Sequence, residues 1–175
     1  MYIKVFFASI FAILTIYSVV AQKVAVISAV DLKNLNGCWQ GTLNYSGTII
    51  RKPYTTTAEL VVKQIGNSNN FEFSHIYTKD PGENVVDTVR LSRDGRKLND
   101  GTIKSKRNTS GGNVEIITEV LGFDHDNNKA AIIRQTYSIG KRFYIYKKQV
   151  QLAGQIDWLD RQEFKYISKP CLSKS

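Results

Sequence analysis

Polar and apolar positions alternate along most of this chain. From Trp39 onward no apolar stripe of helical spacing runs for more than two turns, whereas short segments switch between apolar and polar at every second residue. The alternation predicts strands over Trp39–Tyr45, Thr56–Ile65, Phe71–Thr78, Val85–Arg93, Lys97–Asn99, Thr102–Arg107, Val114–Phe123, Ala130–Ile139, Arg142–Leu152 and Ile156–Ile167. Turn chemistry fills the intervals: Gly66-Asn67-Ser68-Asn69-Asn70, Asp80-Pro81-Gly82, Asp94-Gly95, Asp100-Gly101, Ser110-Gly111-Gly112, Asp124 to Asn128, and Gly140. Asp94-Gly95 reads as a type I′ hairpin, whose two central residues both take positive φ. Ahead of the first strand, Asp31 to Gly37 reads as one short helical turn with Asp31 as its N-cap and Gly37 as its stop.

Short strands joined by tight turns form an antiparallel meander, because parallel crossovers would need helices. A sheet of this length closes or splits in two, and closure removes edges that would template aggregation. The expected fold is therefore all-β: a single antiparallel up-and-down barrel of about eight to ten strands, preceded by a short helical turn. Its last strand is expected to pair with its first.

The N-terminus changes the domain picture. Lys4 is the only charge before Lys23, Val5 to Val20 is almost wholly apolar, and the small residue Ala21 precedes Gln22. This is the order of a secretory signal peptide, and the apolar run falls short of the roughly 20 residues that span a bilayer. Residues 1–22 are read as a signal peptide and 23–175 as the barrel domain. The implied location is exported: periplasmic, outer-envelope or extracellular. Export permits oxidation, so Cys38 and Cys171 either form one disulfide or remain two free thiols. A bridge would close a loop worth about 4–5 kcal/mol in the chain-entropy model.

Charge adds a preference among partners. Lys4 leaves with the leader, which lowers the formal charge from +9 to +8. Basic residues concentrate between Arg90 and Arg107 and between Lys129 and Lys148. Neither stretch is interleaved with exposed stacking aromatics, so no nucleic acid partner is expected. A solvated basic face is the reading, with contact to an anionic surface as the alternative. The oligomeric state is left open, although Phe143 and Ile145 form an apolar pair on a strand whose facing is ambiguous.

Assigning the more apolar parity of each strand inward places Tyr45, Phe73, His75, Tyr77, Asp87, Gln135, Tyr137, Tyr144, Tyr146, Gln162, Phe164 and Tyr166 inside the barrel, with Trp158 on the same parity as the last three. A close-packed core would prefer Leu, Ile and Val, since each buried polar atom needs a partner. Tyrosine walls with scattered polar groups suit a ligand pocket, and small barrels either fill with side chains or hold one small ligand. These residues are the candidate ligand-binding set.

Leu35-Asn36-Gly37-Cys38-Trp39-Gln40-Gly41-Thr42-Leu43 resembles the opening of calycin-type barrels. Lipocalins begin their first strand with Gly-x-Trp after a helical turn, as Gly37-Cys38-Trp39 does. The resemblance implies that an arginine of the last strand, best matched by Arg161, packs across Trp39 and closes one end. It also suits a terminal disulfide Cys38–Cys171. The overall look is similar to small secreted lipocalin-like barrels of the Bacteroidetes, whose late strands carry segments like Arg134–Tyr137 and Arg161–Phe164. The mid-chain Thr-Asp-Tyr segment of lipocalins has no counterpart here.

Catalytic and metal signatures are missing from the sequence. It has no nucleophile elbow, P-loop, dinucleotide fingerprint or HExxH helix, and His75 and His125 are too few for a three-histidine zinc site. The Asp124–Asn128 turn lacks the length and distal glutamate of a calcium loop. In nitrobindins a barrel histidine binds haem. His75 is the candidate for that role here, but a half-buried histidine satisfied by a neighbour is the reading taken, with no metal and no cofactor expected. The expected function is a non-catalytic binding module for a small apolar or amphipathic molecule. The alternatives are a filled barrel acting through its basic surface and, last, an isomerase or hydrolase using Asp87, His75 or Tyr146.

Overall fold

The computed structural model describes residues 24–46 and 52–171, so the leader lies outside the described residues. The strands are β1 (Gly37–Tyr45), β2 (Tyr54–Gln64), β3 (Asn70–Ile76), β4 (Val85–Arg90), β5 (Lys97–Leu98), β6 (Gly101–Thr109), β7 (Asn113–Asp124), β8 (Lys129–Ile139), β9 (Phe143–Leu152) and β10 (Leu159–Lys169). They form one antiparallel sheet in the order β4-β3-β2-β1-β10-β9-β8-β7-β6-β5. The expected up-and-down barrel is present.

The first and last strands do pair, with Trp39 opposite Ser168 and Tyr45 opposite Gln162. That pairing lies in the middle of the sheet. The ring is shut instead where β4 meets β5, through a single bridge between Leu91 and Leu98. Because β5 has only two residues, β4 and β6 are joined at one end and stand apart along the rest. The barrel is nearly closed, with a slot between these two strands.

The turn at this seam is not type I′. Gly95 has φ of 68°, but Asp94 does not take positive φ. The Asp94 carboxylate accepts from the Ser92 hydroxyl at 2.6 Å and from the Arg96 N–H at 3.1 Å, while the Ser92 hydroxyl accepts from the Lys97 N–H at 2.9 Å. These side-chain bonds favour a longer turn with one left-handed residue. Gly95 is required there, since a Cβ would collide with the Ile27 carbonyl.

The helical turn is shifted from its expected start. Ser28 caps it, α1 spans Ala29–Leu32, and a 3₁₀ turn continues over Lys33–Leu35. Asp31 is inside the first turn, where its carboxylate accepts from the Ser28 N–H at 2.8 Å and pairs with Lys106 at 2.7 Å. This segment closes one end of the barrel. Ile27, Leu32 and Leu35 are buried among Trp39, Leu60, Val62, Phe71, Leu91 and Leu98. The Trp39 indole N–H donates to the Leu35 carbonyl at 2.8 Å, so the tryptophan is buried with its polar atom satisfied. Each fully buried aliphatic or aromatic side chain in this plug contributes about 1.5–3 kcal/mol.

Cys38 and Cys171 form the disulfide, with Cα atoms 5.2 Å apart and a sequence separation of 133. It ties the segment that follows β10 to the start of β1, covalently linking the first and last strands of the barrel.

Candidate functional site

The short β5 leaves its turn into β6 beside Arg90, near the plug. The β3–β4, β7–β8 and β9–β10 connections gather, with the end of β1 and the start of β2, at the end opposite the plug, because the meander sends alternate turns to alternate ends. That half of the barrel is hollow. It holds a cavity of about 860 Å³, within the range of small-molecule sites. Phe73 and His75 line it from β3, Tyr77 from just past that strand, Asp87 from β4, and Gln135 and Tyr137 from β8. Tyr144 and Tyr146 line it from β9, and Gln162 and Phe164 from β10.

Two of the expected residues lie elsewhere. Tyr45 stands at the rim, stacked on Tyr54 at 5.2 Å between centroids, with its hydroxyl donating to Asp126 at 2.8 Å. Tyr166 sits outside the lining, buried and stacked on Tyr144 and Phe164 at 5.9 and 5.6 Å. Trp158 is not inward. A bulge at Arg161, between Asp160 and Gln162, switches the facing of β10, so that Arg161 is buried at the bulge and Phe164 and Tyr166 are buried after it. Trp158 instead receives the Arg134 guanidinium over its ring at 3.8 Å. Phe143 and Ile145 are half-buried rather than an exposed patch.

Arg161 does not cross Trp39. It is at the opposite end of the barrel, where its Nε and Nη2 donate to the two Asp124 carboxylate oxygens at 3.2 and 2.7 Å. Asp126 is 3.9 Å from the same guanidinium, and the Asn127 amide donates to Asp124 at 2.7 Å. Burial acts to raise the Asp124 pKa, but the Arg161 fork and Asn127 outweigh it and hold the carboxyl below its ordinary range. The polar Asp124–Asn128 turn is thus pinned at the mouth by ion pairing. Strand register decides this, since Arg161 is displaced seven residues along β10 from the partner of Trp39.

The cavity walls are largely aromatic, and the Asp80, Glu83 and Asp87 carboxylates are also among the lining groups. Tyr137 and Tyr146 meet edge-to-face at 5.3 Å, and Tyr146 lies 6.1 Å from Phe164. Tyr137 donates to Gln135 at 3.0 Å, and Gln135 also accepts from the Thr118 hydroxyl at 3.2 Å. Burial pushes the Tyr146 phenol up to about 12, with hydrogen bonds to Gln135 and Gln162 acting the other way. Burial raises Tyr137 and Tyr144 well above the ordinary phenol value.

Among the described residues two buried side-chain polar atoms have no partner: the Tyr166 hydroxyl and His75 Nδ1. The histidine is half-buried as expected but is not satisfied by a neighbour. The nearby side chains are Phe73 and Phe164, whose ring centroids lie 6.3 and 5.7 Å away and which offer no acceptor. Burial lowers its pKa, and the Asp87 charge partly opposes that. His75 is among the residues that line the cavity, with Nδ1 buried and unpartnered.

Strand parity missed several lining residues. Asp80 and Glu83 come from the turn before β4, where no periodicity exists to read. Thr88 lies on the outward parity and reaches the cavity beside the slot between β4 and β6. Tyr54 and Thr56 belong to β2, which begins earlier than expected, and Thr56 shares the parity of Leu60 and was legible. Among the described residues no group of three or more His, Cys, Asp or Glu side chains is placed to hold a metal ion.

No family model matches the chain, and no curated protein matches it. A solved structure does. The crystal structure of Rv2717c from M. tuberculosis superposes with a TM-score of 0.53 at 15% identity, covering 83% of this chain and 99% of that one. At this identity the likeness shows a shared barrel fold.

Proposed function

We propose that this protein is an exported, non-catalytic carrier that holds a small apolar or amphipathic molecule inside its barrel. The cavity carries the reading: about 860 Å³ walled by tyrosine and phenylalanine, with a few amide and imidazole groups to orient a guest. The disulfide is consistent with an oxidising setting, and so with a periplasmic, outer-envelope or extracellular location. The helical turn that closes the barrel beside Gly37–Trp39 supports a lipocalin-like plan. The experiment is uptake of a neutral apolar dye, Nile red, followed by its fluorescence, with native mass spectrometry of the purified protein. Uptake is expected, and Val89→Trp, which fills the cavity from β4, is expected to abolish it while leaving the melting transition in place. A folded protein that takes up no dye, or dye uptake undiminished in the variant, would overturn the carrier reading.

His75 supports a second reading, because this histidine lines an aromatic cavity and its Nδ1 has no hydrogen-bond partner. The guest would be a flat metalloporphyrin held through that imidazole, the role a barrel histidine plays in nitrobindins. Haemin titration distinguishes it: a Soret band that shifts in His75→Ala supports the reading, and identical spectra end it.

A further inference from the structure

The cavity has a charge bias that its volume and apolar walls do not reveal. Asp80, Glu83 and Asp87 stand among its lining residues, whereas no described Lys or Arg does. His75 is the one base there, and its burial keeps it neutral at pH 7. The buried phenols remain protonated and contribute no charge. A guest therefore meets the negative faces of aromatic rings in the body of the cavity and carboxylates at its mouth.

The rest of the chain's charge does not reverse this. Arg93, Arg96, Arg107, Lys141 and Arg142 are exposed at or beside the connections of the plugged end. Strands of about ten residues separate the two ends by about 25 Å once tilted, roughly three Debye lengths at physiological salt. Lys106 is held at the plugged end by Asp31 at 2.7 Å, and toward the mouth Arg161 is engaged by Asp124 at 2.7 Å. Lys52, Lys79 and Lys129 are exposed at the open end, and Lys148 is on the inward parity of β9, but none of the four lines the cavity. Among the described residues the basic side chains therefore stand outside the cavity lining, and the chain's net charge of +9 does not set the charge of the mouth.

We propose that the guest is an amphipathic organic cation, its apolar body among the aromatic walls and its ammonium group at the acidic mouth beside Asp87 and Glu83. This rests on the carrier reading above. A carboxylate-headed guest such as a fatty acid would set like charges together at these carboxylates. An ammonium head gains both the carboxylates and the ring faces, and cation–π contact adds attraction where water is excluded.

The test is displacement of Nile red by three probes of equal chain length, decyltrimethylammonium, decanol and decanoate, each below its micelle concentration. The ammonium probe is expected to bind at least about tenfold tighter than decanoate, a difference of about 1.4 kcal/mol. In the double variant Glu83→Gln/Asp87→Asn, checked for folding by its melting transition, that ratio is expected to fall to about threefold or less. Decanoate binding as tightly as the ammonium probe would overturn the proposal and leave the carrier reading standing. A ratio unchanged in the variant would do the same, as would Nile red uptake that no probe reverses. Folded protein that takes up neither dye nor probe would overturn both readings.

Discussion

Removing Arg161 tests whether the mouth is held by ion pairing. The guanidinium and the Asp124 carboxylate are both about nine-tenths buried or more, with side-chain exposures of 7% and 6%. Breaking a buried pair from one side leaves an uncompensated charge and costs about 3–5 kcal/mol, whereas replacing both members with apolar groups is often neutral. Arg161→Leu strands Asp124, whose remaining neutral donor is Asn127. Asp124→Leu leaves Arg161 with Asp126 at 3.9 Å, so it should cost less, about 1–3 kcal/mol. For a domain of this size each kcal/mol shifts Tm by about 2–4 °C, which puts Arg161→Leu about 6–20 °C below wild type. The double variant should recover most of that loss. Melting at pH 7 and urea unfolding give the cycle. Additive single losses, with no recovery in the double variant, would refute the coupling. The pH dependence has a definite sign. Because Asp124 is held below its unfolded pKa, its contribution is present above about pH 4 and is lost as pH falls through the folded value. Arg161→Leu should flatten that part of the stability profile.

Three further outcomes follow from the geometry. Cys38→Ser/Cys171→Ser should lose about 4–5 kcal/mol of stability by urea unfolding, since the bridge closes most of the described chain, and an unchanged midpoint would contradict the entropy argument. Gly95→Ala should cost about 1–3 kcal/mol, because φ is 68° and the new Cβ meets the Ile27 carbonyl, whereas Gly154→Ala, at φ of 80° with open space around it, should cost about 1 kcal/mol; equal losses would count against the seam contact. Ultraviolet titration should show Tyr137, Tyr144 and Tyr146 still protonated after the exposed phenols ionise. Their raised pKa values contribute stability that is complete below about pH 10 and lost as pH rises, with Tyr146 titrating at about 12. Full ionisation of all phenols in folded protein by pH 11 would refute their burial.

What the chain alone determined was local. Period-two alternation located every strand, because facing is set by neighbours one and two residues away. The same alternation put Phe73, Tyr137, Tyr146 and Phe164 together before their partners were known. The turn residues located the connections but not their conformation, since Ser92 and Asp94 chose the seam turn through side-chain bonds. What only the tertiary structure decided depended on register and on breaks in periodicity. The bulge in β10 reversed Trp158 and buried Arg161, and register carried Arg161 to Asp124 instead of Trp39. The two-residue β5 left the slot beside β4, and turn residues Asp80 and Glu83 reached the cavity from outside any repeating pattern. Alternation says which way a side chain faces. How far along the barrel it lies, and which charges it meets there, is settled by hydrogen-bond register between strands distant in sequence.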